Sequence, residues 1–392
     1  MSLMQSRGTR STIGGRVGVL VLGLATWLLV GAGCAAIDES FGTSLGESSE
    51  EAATTVNEAA VKVNEAASSA QGAALAARAL SSFGPLPPVA LNPNNLATKA
   101  KVDLGRMLYY DARLSKNHDV SCNSCHMLDK FGVDNEPTSP GHRGQRGDRN
   151  SPTVYNAALH IAQFWDGRAP DVEAQAKGPI LNPIEMASRS EADVVALLNS
   201  MPGYVEAFAA AYPGQLRPVT YDNMANAIGA FERKLMTPGR FDDFMKGELS
   251  ALDATERRGL ETFLTVGCNT CHTGTAIGGQ LYRKLGFIFP YETEDLGREK
   301  VTGLAADRHV FKVPSLRNVA ETGPYFHDGS ITDLREAVRL MGYHQLGQTL
   351  TDAQISDIVA FLRALTGQID RQYIARPTLP ASGPNTPAPD PS

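Results

Sequence analysis

Cys122-Asn123-Ser124-Cys125-His126 and Cys268-Asn269-Thr270-Cys271-His272 repeat one arrangement, C-x-x-C-H, about 145 residues apart. Two thiols three positions apart on a helical turn reach the two vinyl groups of one porphyrin, and the adjacent histidine then presents its imidazole to the iron. This is the attachment signal of a c-type haem. A zinc site would need further Cys or His at ligand spacing, and a thioredoxin-like pair would need a βαβ setting. The chain has 5 cysteines, and the fifth, Cys34, closes an apolar segment near the start. The pattern therefore predicts two covalent haems, anchored by Cys122, Cys125, Cys268 and Cys271 and ligated by His126 and His272.

Around these motifs lie helical signals. Glu191 to Leu198, Met224 to Leu235, Asp253 to Phe263, Thr332 to Met341 and Asp352 to Leu365 repeat apolar residues at three and four, several behind N-cap residues such as Ser190, Thr332 and Thr351. Strand signals are few. The expectation is a mainly α protein of two cytochrome c-like haem domains, 86–248 and 249–375, packed against each other with porphyrin in each core. The chain has 392 residues with 42% hydrophobic content, enough for such cores. Its 36 Lys and Arg stand against 42 Asp and Glu, a net charge of −6, which offers no basic field for nucleic acid.

Residues 1–34 carry Arg7, Arg10 and Arg16, no acid, and an apolar run from Val17 to Ala32. That run is short of the roughly 20 residues a spanning helix needs and reads as an export signal. Cys34 directly after Gly31, Ala32 and Gly33 resembles a lipidation site; Gly31 stands where such signals usually carry Leu, so ordinary cleavage near Ala35 and Ala36 stays open. Export agrees with the motifs, because covalent haem attachment in bacteria takes place outside the inner membrane. A periplasmic location follows, with an anchor if Cys34 is lipidated. Residues 35–85 are rich in Ala, Ser and Glu, and Asn57-Glu58-Ala59-Ala60 recurs as Asn64-Glu65-Ala66-Ala67, predicting a helical stalk or linker. Residues 376–392 are dominated by Pro, Ser and Thr and read as a solvated tail.

The sixth position on each iron separates oxygen chemistry from electron transfer. For the second haem, Met341 and His344 are both candidates. After the first motif, His142 lies in the glycine-rich loop Gly141 to Asn150, whose arginines also suit haem propionates. Trp165 is the one tryptophan outside the signal, placed either in a core or between the haems. Glu185, flanked by Pro183, Ile184 and Met186, suits acid–base work if buried.

From about Leu96 to Leu365 the sequence resembles the bacterial dihaem cytochrome c peroxidases, through SCNSCH, GHRGQRGDRNSPTVYNAAL, FWDGRAPDVEAQAKGPILNPIEM, GCNTCH, VPSLRNVAETGPYFHDGS and AVRLMGYHQLG. The resemblance implies that His126 is the proximal ligand of a low-potential peroxidatic haem and His142 its displaceable distal ligand, released on reduction. Gln175 and Glu185 would position peroxide and move its proton, and Trp165 would lie between the haems. His272 and Met341 would ligate the high-potential haem where electrons enter, and Asn150, Thr322 and Pro324 would hold a structural calcium. It also implies hydrogen peroxide as substrate, a small cytochrome c or a cupredoxin as donor, and a homodimer. Two alternatives are a dihaem electron carrier and an enzyme of the type that matures tryptophylquinone. The latter carries a tyrosine where this chain has Met341.

Overall fold

The structure, a computed structural model, describes residues 42–392; the export signal and Cys34 lie outside the described residues. Helix α1 (Gly42–Leu80) covers the Ala-rich segment and exposes Val56, Val61 and Val63 along it. Near its end Leu75, Ala76 and Ala79 are buried together with Phe83, so this part of the linker belongs to a core.

Two cores follow. The first gathers α2 (Lys99–Tyr110), the one-turn α3 (Cys122–Cys125), α4 (Val172–Leu181), α5 (Glu191–Asn199), α6 (Pro202–Ala211) and α7 (Tyr221–Glu232). The second is built by α8 (Arg240–Met245), α9 (Ala254–Val266), α11 (Leu334–Leu346) and α12 (Asp352–Ala364), with the short α10 (Glu299–Thr302) outside it. Among the described residues the sheet content is one antiparallel pair, β1 (Tyr282–Lys284) and β2 (Val310–Lys312), with Tyr282 opposite Lys312. No single described helix is long and apolar enough to cross a membrane.

Each core is organised by a close helix crossing. A Cβ on Gly105 of α2 would sit 1.9 Å from the Ala227 carbonyl oxygen of α7, and one on Gly259 of α9 would sit 1.9 Å from that of Asp357 on α12. Only glycine lets the backbones approach so far. In both cases the crossing helix precedes a C-x-x-C-H motif, so the two domains repeat one device.

The caps follow the sequence with one shift. Ser190 caps α5, and Thr351 and Gln354 form a capping box on α12; α11 is capped by Asp333, whose carboxylate accepts from Arg335 N at 2.8 Å, rather than by Thr332. Two buried ion pairs brace the cores. Arg233 grips Glu173 through two bonds of 2.7 Å, and Arg317 grips Asp242 at 2.8 and 3.0 Å while also reaching the Gly84 and Thr275 carbonyls.

The side chains divide differently from a linear boundary at 248/249. Phe241, Phe244 and Met245 build the second core, whereas Ile374 returns to the first, where Tyr110 Oη donates to its carbonyl at 2.6 Å. Residues 376–392 form no helix or strand and none of them is buried, in keeping with a solvated tail, but polar bonds run from them to the first domain. Thr386 meets Ser200 at 2.9 Å, Asp390 N donates to the Lys116 carbonyl at 3.0 Å, and the Asp390 carboxylate pairs with Arg189.

Candidate functional site

In the first motif His126 N closes the turn on the Cys122 carbonyl at 3.0 Å, and in the second His272 N does the same on Cys268 at 3.0 Å. Each motif opens onto its own cavity, enclosing about 1690 Å³ at the second motif and about 1250 Å³ at the first, solvent-open mouths included. The four thiols are unpaired and partly buried. Burial raises Cys125 to about 11, Cys268 to about 12 and Cys122 further, so these three thiols stay neutral and are poor redox nucleophiles. Such a pair of large cavities, each bearing two thiols and a histidine on one turn, fits a covalently held porphyrin.

At the second cavity His272 is half-buried, and desolvation lowers its pKa to about 4. Its Nδ1 lies 3.2 Å from the Pro314 carbonyl oxygen, which fixes the ring and leaves neutral Nε2 as the ligand atom. The wall is apolar, built from residues such as Phe263, Leu316, Val338 and Leu362, and it includes Met341 of α11. His344, the other candidate, does not line this cavity; its Nδ1 is 3.0 Å from the Phe289 carbonyl oxygen.

At the first cavity Cys122, Cys125 and His126 share the lining with Gln175, Glu185, Met186, Arg149, Arg168 and Glu232. Gln175 stands on α4, capped by Asp171, and Glu185 follows the bend after that helix. Burial raises the Glu185 pKa, opposed by the Asn182 amide, which donates to Oε1 at 2.7 Å, and by the Arg168 charge. A carboxyl so placed takes up a proton more readily than one in open solvent. Arg149 is pinned by Asp166 at 2.5 Å and Asp295 at 2.6 Å. Glu232 and Met186 were not singled out by sequence, since an acid closing an amphipathic helix and a lone methionine between Glu185 and Ala187 carry no distinguishing pattern there.

Asn150, Pro152, Thr153, Phe164 and Trp165 line both cavities and so form their common wall. Trp165 is fixed at both ends: its Nε1 donates to the Asn150 carbonyl at 2.9 Å and its own carbonyl accepts from Lys312 N at 2.8 Å. Asn150, Thr322 and Pro324 all border the second cavity. The Asn150 side-chain amide donates to the Glu136 carbonyl at 3.0 Å, and no cluster of three or more His, Cys, Asp or Glu suited to a metal occurs among the described residues. His142 is not where the resemblance puts a resting-state ligand. It is buried but absent from the lining of the first cavity, because its N is bonded to the Glu185 carbonyl at 2.7 Å and its Nε2 lies 3.4 Å from the Ser392 main-chain oxygen.

Residues 99–250 match the family model for di-haem cytochrome c peroxidase, and residues 256–366 that for cytochrome c. The cytochrome c551 peroxidase of Pseudomonas aeruginosa is 47% identical over 73% of this chain and 84% of that protein, and the one of Nitrosomonas europaea is 45% identical over 81% and 93%. A solved MauG-like protein associated with microbial copper homeostasis shares 28% identity and superposes with a TM-score of 0.66 over 74% of this chain and 95% of its own. Identity at this level across most of both chains, together with a haem-sized cavity at each motif, leaves one conclusion: the chain belongs to the bacterial di-haem cytochrome c peroxidase family.

Proposed function

We propose that the chain reduces hydrogen peroxide to water with electrons from a small cytochrome c or a cupredoxin, entering at the second cavity and used at the first. The observation that carries this reading is the difference between two cavities that share the Trp165 wall: one is lined by a thioether together with His272, the other by a carboxyl and an amide together with His126. When bound, the two haems supply a centre that accepts electrons and an iron that takes the peroxide. The rest falls to the protein. His272, oriented by Pro314, and Met341 hold the entry centre, and Trp165 with its two main-chain bonds keeps the partition rigid. Gln175 orients the substrate by its amide, and Glu185 moves a proton from one peroxide oxygen to the other as the bond between them breaks. Two electrons and two protons then yield two waters.

His142, withdrawn from the cavity, corresponds in this reading to the open state; its return would close the site when the enzyme is oxidised. The finer points belong to the same proposal. Asn150, Thr322 and Pro324 would hold a calcium ion through oxygen atoms next to the common wall. The mature protein would reside in the periplasm, attached through Cys34 if that thiol is lipidated, and would pair as a homodimer. Met341 in the second cavity speaks against the tryptophylquinone-maturing type, and Glu185 in the lining of the first against a plain carrier.

Steady-state peroxide consumption with a reduced small cytochrome tests the reading. Glu185→Gln should lower kcat by about 10²- to 10⁴-fold, with both haems retained. A variant as fast as the wild type removes Glu185 from the reaction, and a wild type that takes up electrons without consuming peroxide makes the chain a carrier.

A further inference from the structure

The lining of the second cavity contains Arg283 and Lys312 but no aspartate or glutamate. Lys312 is 6% exposed, and burial alone pushes its ammonium down to about 8, with no carboxylate acting on it. Its Nζ lies 3.3 Å from Nδ1 of His160, which is half-buried and held neutral by desolvation and by the Lys312 charge. An ammonium can only donate, so Nδ1 of His160 accepts and the ring hydrogen sits on Nε2. That Nε2 is buried without a partner, as is Nε of Arg283. Two buried donors at this cavity, Nε2 of His160 and Nε of Arg283, thus lack any acceptor from the protein, and the Lys312 ammonium has no carboxylate partner. A buried cation without a counter-charge is costly, and so is an unmade hydrogen bond. The missing acceptors must come with the guest, and a guest carrying two carboxylates balances the two cations.

We propose that Lys312, His160 and Arg283 form the cradle for the two propionates of the haem held by Cys268 and Cys271, and that Lys312 thereby raises that haem's affinity for an electron. The inference rests on the proposed function only in placing an electron-accepting haem in this cavity. It assigns these three side chains a positioning role beside the wall, since Lys312 N also holds the Trp165 carbonyl. A fixed positive charge near the iron favours the reduced form, so its removal shifts the reduction equilibrium toward the oxidised form.

Spectroelectrochemical titration of the holoprotein reads this directly. In Lys312→Met the reduction equilibrium of the Met-ligated haem should fall about tenfold, or 59 mV for one electron, while the other haem's stays in place. Lys312→Arg, which keeps the charge, should restore it. His160→Phe, which removes the Nε2 donor but keeps a ring, should shift the same haem in the same direction by less, and serves if Lys312→Met does not retain both haems. Unmoved midpoints in Lys312→Met, or in His160→Phe where that variant stands in, overturn the proposal. So does Lys312→Arg falling as far as Lys312→Met, which would assign the effect to packing. A wild type with a single midpoint for both haems overturns instead the reading of two unlike centres.

Discussion

Two glutamates, Glu173 in the first turn of α4 and Glu232 at the end of α7, have opposite fates, decided by a single guanidinium. Glu173 receives both Arg233 bonds and the Asn95 amide, and these hold its carboxyl below the ordinary value despite burial. Glu232, the last residue of α7, is buried at the first cavity, and desolvation with the Glu173 charge pushes it up to about 8. The folded protein therefore keeps a proton that the unfolded chain gives up near pH 4.5, so the folded state loses stability as the pH rises from there through about 8. Glu232→Gln never ionises and should flatten that slope, by a difference on the order of a few kcal/mol at pH 8. Thermal unfolding at pH 5 and pH 8 checks it, and equal pH dependence in the two proteins would show the carboxyl to be solvated. Sequence could not reveal Glu232, Lys312 or His160, because a lone charged or imidazole side chain reads as surface until tertiary packing buries it. Cys122, Cys125, His126 and their counterparts were legible because porphyrin chemistry imposes their spacing on the chain itself.

At the scale of elements, amphipathic period and caps were enough for α5, α7, α9, α11 and α12, where local preference and tertiary burial agree. Helices α4 and α6 were harder to read: α4 contains Gly178 and Pro179, and α6 begins on Pro202, so breaker residues mask helices that packing stabilises. The pairing of α2 with α7 and of α9 with α12 was not legible either, since Gly105 and Gly259 look like ordinary helical glycines until a carbonyl is found against each. These crossings should be intolerant of a single methyl. The Cβ of Gly259→Ala would fall 1.9 Å from the Asp357 carbonyl oxygen and must displace α12, and Gly105→Ala must displace α7 likewise. Each should destabilise the holoprotein by about 1–3 kcal/mol, the usual range for overpacking, seen as a lower urea midpoint at unchanged slope. A midpoint within error of wild type would mean that the helices shift apart without cost.

Across the whole molecule, the chain's last stretch returns to the segment that the site depends on. Lys116 Nζ binds the Ser392 main-chain oxygen at 2.5 Å, Asp390 pairs with Arg189, and Ser392 faces His142 Nε2, so residues 376–392 bear on the loop at 141–147 from outside the cavity. On the inner side the same loop is tied to the Glu185 main chain. Composition alone suggested a solvated tail, because Pro, Ser and Thr bury little apolar surface; what holds it is a series of polar bonds that composition does not encode. Those bonds favour His142 in its withdrawn position. Deleting residues 379–392 should leave both haems and the Gly105 and Gly259 crossings intact, while the 141–147 amides exchange with solvent about two- to tenfold faster, the effect of one or two net hydrogen bonds. The oxidised protein should then hold a larger fraction of its first haem in the His142-ligated, six-coordinate form, visible as a loss of high-spin absorption, and should need longer pre-reduction before consuming peroxide. Amide exchange and high-spin content that match the full chain would show that the loop's position is set from the Glu185 side alone.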